Sequence, residues 1–515
     1  MKNGTDIVAL ADSQLLRFID QLNGKDSSIV AKKLRSRIKD LKYKENTEEN
    51  KKAIQTLYKQ LYHTQFQSDY LCVIMDSKSD YLHANKGFSI NGIKYRRFLG
   101  TNGGIKNSTI VYVSERLYPK LKEILDCGRN LKTPLVPAKL EAYQALICSG
   151  SIPVSMPKGI IVVPDCYTKF HENIIQIDNG SSVEPVLTEI KNAEITLNDS
   201  DGYGLMLPSI SERWNTELGM QHEGKYLAGA NTRGLPWVKG MLFTFDFIKF
   251  AEEIAGTYEI VDVWGQKRDI RNAEVILTES MLKLWDSYKS FEEYWSNVEK
   301  YGYQFAIAKT APHKLETERQ TNYQFLQSYK LTDEQISEFI APTVNQINDV
   351  MGLDYRKSLL FLRGLYMNES NILNSTYDYI LGLMIEPQLI NDPYVRSKIR
   401  NMISKITNDA KKGVINVEGN FAIIGGDPYS LCQSMFGLPV TGLLKAGECY
   451  HKFWSDQNVS EIACFRAPMT SHNNIRKMKP VTGDRINYWY QYITTCMLLN
   501  SWDTVCDALN GADKD

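Results

Sequence analysis

The chain closes on Leu509-Asn510-Gly511-Ala512-Asp513-Lys514-Asp515. Side chains of an extended segment alternate with period two, so Asp513 and Asp515 fall on one side of a strand or tight turn. Two carboxylates placed that way offer the hard oxygen ligands that Mg2+ prefers. Without context, the same residues read as a solvated acidic tail. A second group centres on Lys239, in Leu235-Pro236-Trp237-Val238-Lys239-Gly240-Met241. The local pattern is a turn running into an apolar strand, and the lysine is a compact cation suited to neutralising phosphate. Lys225 and Arg233 precede it and suit either a solvated surface or contact with a nucleic-acid backbone. Gly425-Gly426-Asp427-Pro428 lacks the Gly-Lys-Ser/Thr of a phosphate-binding P-loop and reads as a β-turn.

The elements that must hold these residues follow from pattern and composition. With 515 residues, 43% hydrophobic and 23% charged, the chain has the material of a soluble globular protein of two to four domains. Lys+Arg and Asp+Glu are 60 each, so any basic surface is local and whole-chain charge makes no case for a nucleic-acid partner. The nine cysteines include no Cys-x-x-Cys pair, and their odd number and wide scatter argue against a disulfide framework. They read as reduced thiols, and the expected location is cytoplasmic. The first residues contain no apolar core of a secretory signal, and no run approaches the roughly 18 apolar residues of a membrane span.

Five regions are expected, with an α+β fold. Residues 1–70 are helical: Leu15, Phe18, Ile19 and Leu22 repeat at helical spacing before Gly24, and a Lys-rich helical hairpin follows. Residues 71–195 mix helices with short β-rich runs such as STIVYV and KGIIVVP. Residues 196–320 carry MLFTFDF and AEVILTE as strands. Residues 321–415 are helical, with Thr332 and Gln335 as a capping box. Residues 416–515 return to strands, among them NFAII and EIACF.

Phe465-Arg466-Ala467-Pro468-Met469-Thr470-Ser471-His472 precedes the terminal aspartates by a few tens of residues. This combination resembles the β′ subunit of cellular RNA polymerases. There an Arg-Ala/Pro-Pro-Thr-Leu-His stretch precedes Asn-Ala-Asp-Phe-Asp-Gly-Asp. It also resembles the RNA-silencing RNA polymerases and their single-chain phage relatives, in which an Arg-x-Pro stretch precedes Asp-x-Asp-Gly-Asp. Asp201-Gly202-Tyr203-Gly204, followed by Lys239-Gly240-Met241-Leu242, is similar to the Asp-Gly-x-Gly and Lys-Gly-x-Leu stretches of those enzymes. The motifs occur in the family's order between about 200 and 515.

The resemblance implies two double-psi β-barrel regions separated by a helical block, the second being incomplete. It implies template-dependent nucleotidyl transfer from NTPs to an RNA 3′-hydroxyl, on a DNA or RNA template, with Mg2+ as cofactor and phage or mobile-element ancestry. Asp513 and Asp515 match the first two aspartates and would bind the metal. Lys239 would stabilise phosphate charge, Arg466 would sit near the ribose, and Arg233 and Lys225 would contact substrate or hybrid. The Gly and third Asp of the motif are absent from these 515 residues. The expectation is therefore that the 515 residues make no RNA alone and that the missing half, if separate, acts in trans. The alternative is a non-catalytic nucleic-acid-binding protein of the same fold.

Overall fold

The computed structural model describes residues 7–8, 12–25, 27–42, 47–101, 103, 108–178, 186–363 and 378–514. The fold is α+β and is organised around three sheets. An antiparallel five-stranded sheet runs in the order Ile7–Val8, Tyr70–Ile74, Thr109–Ser114, Ile93–Leu99, Phe88–Ile90. The helix Gln14–Leu22, capped by the Ser13 side chain, buries Leu15, Phe18 and Ile19. Phe18 meets the ring of Tyr303 edge-on at 4.7 Å, so this helix belongs to the central core. The Lys-rich hairpin, Ser27–Lys42 and Glu48–Gln65, closes on a small core of its own: Ala31, Ile38, Leu57 and Leu61.

The central sheet has seven strands, in the order Ile152–Pro153, Ala306–Thr310, Gly229–Arg233, Gly240–Thr244, Tyr203–Met206, Val275–Thr278, Ile160–Val163. Its apolar runs do not alternate with polar residues, and the structure gives the reason. Ile160, Val162, Met206, Leu242, Val275 and Leu277 fill one core, while Ile161, Val163, Tyr203, Leu205, Phe243 and Ile276 fill another on the opposite face. A strand buried on both faces reads as a continuous hydrophobic run.

The third sheet runs Ile423–Gly425, Cys496–Leu499, Glu448–Tyr450, Ile475–Pro480, Ile462–Phe465. It shares the second core, to which it and its helices contribute Tyr429, Leu431, Tyr450, Trp489, Tyr490 and Leu498. Four strands in each of the central and third sheets pair alike. Gly240–Thr244 lies parallel to Tyr203–Met206, which is antiparallel to Val275–Thr278, which is parallel to Ile160–Val163. Ile423–Gly425 lies parallel to Cys496–Leu499, which is antiparallel to Glu448–Tyr450, which is parallel to Ile475–Pro480.

Between these sheets, Asp333–Met351, Tyr355–Leu362, Asp378–Ile385 and Pro393–Ala410 form a helical block around Val350, Phe361, Leu383 and Ile399. The two-stranded pairing of Glu318–Gln320 with Asn416–Glu418 joins its entrance to its exit. The expected capping box is formed: Thr332 accepts the Gln335 N–H, and Gln335 accepts the Thr332 N–H. A long hairpin, Tyr167–Asp178 with Val186–Asn198, leaves the central sheet and has most of its described side chains in solvent. No helix among the described residues is long and apolar enough to cross a membrane.

Candidate active site

The loop 199–202, which leads into Tyr203–Met206, gathers the parts of the site. The Met241 N–H donates to the Gly202 carbonyl at 3.0 Å, and the Lys514 N–H to the Asp201 carbonyl at 3.1 Å. Two consecutive carbonyls therefore hold the strand that follows Lys239 and the segment that carries Asp513. Gly240 has φ +155°, and a Cβ there would stand 2.3 Å from the Gly202 carbonyl oxygen. The glycine after Lys239 is thus required by close strand approach. Lys239 is half-buried, and its N–H donates to the Met281 carbonyl at 3.1 Å. Arg233 follows Thr232, the register partner of Gly240, and so flanks Lys239 at the end of the hairpin. Its Nη1 donates to the Thr232 carbonyl at 2.7 Å. Among the described residues no contact brings Lys225 into this group: it is exposed, 3.6 Å from Glu212 and 5.0 Å over the ring of Tyr226.

Arg466 and Asp513 do meet. Arg466 Nη1 donates to the Asn510 carbonyl at 3.2 Å, and its Nη2 lies 3.9 Å from Asp513 Oδ1, both side chains being about half exposed. Asn510 and Gly511 adopt φ values of +63° and +59°, a turn that Asn and Gly tolerate best. Beyond it the chain alternates: Ala512 is buried, Asp513 exposed and Lys514 buried. Asp515 lies outside the described residues. Asn474 ties the two loops together. Its Nδ2 donates to the Ala508 carbonyl at 2.8 Å, while its Oδ1 accepts the N–H groups of Thr470 and Ser471.

Beneath the site lies a buried polar network. Lys514, with its side chain 4% exposed, directs Nζ at the Asp199 carbonyl and at Asp199 Oδ1, 3.4 Å away. Asp199 Oδ2 accepts the Asp427 N–H at 3.1 Å and the Tyr203 hydroxyl at 3.3 Å. Asp427 accepts the N–H groups of Tyr429, Ser430 and Leu443 and the Tyr490 hydroxyl. Burial, reinforced by Asp199, raises the Asp427 carboxyl above its ordinary range, against the pull of those hydrogen bonds. Burial would lower the Lys514 ammonium, but Asp199, Cys506 and Asp201 outweigh it and hold the group above its ordinary value.

The Gly425-Gly426-Asp427-Pro428 segment is a strand-to-helix junction and not a β-turn. Asp427 is the N-cap of the helix Pro428–Met435. A Cβ on Gly425 would meet the Phe243 ring at 2.6 Å, and one on Gly426 the Asp199 carbonyl oxygen at 2.2 Å. These glycines let the third sheet close on the central one. An Asp-Pro step at a helix start was the available signal. Asp199 and Asn474 carried none, because each acts through contacts distant in sequence. Lys514, between two aspartates, has the local composition of a solvated tail.

No group of three or more His, Cys, Asp or Glu side chains able to hold a metal converges among the described residues. The donor type suits Mg2+, and Asp513 is the one described member of the expected pair.

No family model matches the sequence. Over 390 residues the chain is 28% identical to the DNA-directed RNA polymerase YonO of Bacillus phage SPbeta. The match covers 73% of this chain and 43% of that protein. The chain is therefore similar at low identity to a phage protein named as an RNA polymerase, of which it spans less than half the length.

Proposed function

We propose that these residues are the N-terminal part of a two-barrel, template-dependent RNA polymerase. The observation that carries this reading is the repeated parallel–antiparallel–parallel pairing in two sheets that share a core. At their junction, loop 199–202 bonds to the Lys239 strand and to the Asp513 segment. We read the two sheets as the strands of two double-psi β-barrels, the second completed by sequence outside these 515 residues, in the same chain or in trans. The name of the phage relative favours DNA as the template. A cytoplasmic location goes with that role.

In the proposed reaction the RNA 3′-oxygen bonds to the α-phosphorus of an NTP. The bond from that phosphorus to the β-bridging oxygen breaks, pyrophosphate leaves and the hydroxyl proton is lost. Lys239, held at the edge of the central sheet, sets a cation where phosphate charge develops. Arg466, on the loop tied to Asn510, faces the sugar of the nucleotide. Arg233 flanks Lys239 toward the nucleic-acid backbone, and Lys225 contacts it farther out along the surface. Asp513 and Asp515, with the third aspartate that follows in the motif, would hold Mg2+. When bound, the metal supplies positive charge that activates the hydroxyl and stabilises the leaving group.

Lys239→Ala and Asp513→Ala, made in the complete polypeptide encoded by this reading frame, test the assignment. Each should lower kcat for templated NTP incorporation by about 100-fold or more, with template affinity nearly unchanged. Near-normal rates for both would remove these residues from the site. Template binding by the wild type without any incorporation would favour a non-catalytic protein of the same fold.

A further inference from the structure

Lys514 stands where the β′ motif has Phe, between Asp513 and Asp515, and its side chain is 4% exposed. A phenylalanine there needs only space. An ammonium needs a fixed anion, because burying it unpaired is strongly unfavourable. That anion is Asp199, and Asp199 is itself held from several directions. Its N–H donates to the Cys166 carbonyl at 2.9 Å, and its Oδ2 accepts from the Asp427 N–H and the Tyr203 hydroxyl. Lys514 is gripped at the backbone as well, through its N–H on the Asp201 carbonyl. A residue fixed at both backbone and side chain fixes the direction of its neighbour, and that neighbour is Asp513.

We propose that Lys514 is a positioning residue, whose buried pair with Asp199 aims Asp513 and makes the aspartate segment's geometry depend on the central sheet. The proposal rests on the polymerase reading given above. It explains why a cation sits beside carboxylates assigned to a metal: its charge is consumed by Asp199 on the inward side. It also predicts an unusual dependency. Asp199, only 2% exposed, becomes necessary for turnover through Lys514. Replacing both partners by neutral groups is then less harmful than replacing either one.

The test uses the complete polypeptide with Lys514→Met, Asp199→Asn, the double variant and Lys514→Arg. For each single neutral variant, kcat should fall about 10-fold or more and the Mg2+ concentration for half-maximal rate should rise about 10-fold. KM for NTP and template affinity should stay within about two-fold. The double variant should recover about three-fold or more over the worse single variant, and Lys514→Arg should recover part of the rate by keeping the charge. An active wild type with Lys514→Met unchanged in rate and Mg2+ requirement would overturn the proposal and leave the polymerase reading standing. If Lys514→Met does not fold, the Arg variant and the double variant carry the same comparison. A wild type without activity would overturn the polymerase reading instead. Hydrogen exchange on the 515-residue chain would then judge the anchor itself. Amides of residues 508–514 should open about 10-fold faster in Lys514→Met while residues 203–206 stay protected, and equal rates would reject it.

Discussion

His451 shows how one side chain can set a pH response in this fold. It is 2% exposed, between the strand Glu448–Tyr450 and the helix Lys452–Asp456, and its Nδ1 has no hydrogen-bond partner among the described residues. Burial pushes its imidazole down to about 4, against a smaller opposing effect of its own backbone. The folded state therefore disfavours the proton that the unfolded chain accepts near pH 6.5. Stability from this group is complete above pH 6.5 and is lost as the pH falls toward 4, by at most about 3 kcal/mol. Urea titrations at pH 7.5, 5.5 and 4.5 should show this slope flattened in His451→Phe, and an unaltered slope would refute the assignment. Gly426 makes a steric prediction at the same scale. Because a Cβ would strike the Asp199 backbone, Gly426→Ala should cost about 3 kcal/mol or more, read as a lowered Tm. Gly419, with open space around it, should accept Ala within about 0.5 kcal/mol. Equal effects at the two glycines would contradict the close approach of the sheets. Lys239, Arg466 and Asp513 can be proposed from the sequence, since their motifs are contiguous. The sequence hid Lys514 and Asp199, whose meaning depends on a contact between residues some 300 positions apart.

At the scale of elements, local chemistry was the more readable part. The capping box at Thr332 and Gln335 formed as expected because both of its partners lie within four residues. Thr332→Ala should weaken the first turn of the helix Asp333–Met351 by about 1 kcal/mol. Amides near Gln335 would then exchange about five-fold faster, with the helix centre unaffected, and unchanged exchange would show that the cap contributes nothing. The runs KGIIVVP and STIVYV hold strands, as β-branched and aromatic residues between turns suggest, while MLFTFDF is a strand to Thr244 and enters a helix at Phe247. Their partners were not legible. Ile160–Val163 pairs with Val275–Thr278 across more than a hundred residues, and no local signal specifies that register. The helix Gln14–Leu22 was recognised from its periodicity. That it buries Phe18 against Tyr303 in the central core was not, because an apolar stripe does not name what covers it.

At the scale of the whole molecule, the Lys239 strand and the aspartate segment lie more than 250 residues apart in sequence and converge on one loop. The shared core of Phe243, Phe245, Tyr429, Trp489 and Leu498 fixes the two sheets relative to each other, and thereby fixes that convergence. Phe245 and Trp489 stack at 5.7 Å and the buried Lys514–Asp199 pair lies across the same junction, so apolar packing and charge act on the same alignment. The polymerase proposal rests on the resemblance to two-barrel polymerases, the repeated strand pairing and the phage relative. The most direct measurement is templated RNA synthesis by the complete polypeptide in Mg2+, omitting each NTP in turn. The account predicts that elongation halts at the template position calling for the omitted nucleotide, and that Lys239→Ala and Asp513→Ala each slow extension by about 100-fold or more. Wild-type protein that binds template and NTP yet joins no nucleotide, or that adds nucleotides regardless of template sequence, would contradict it.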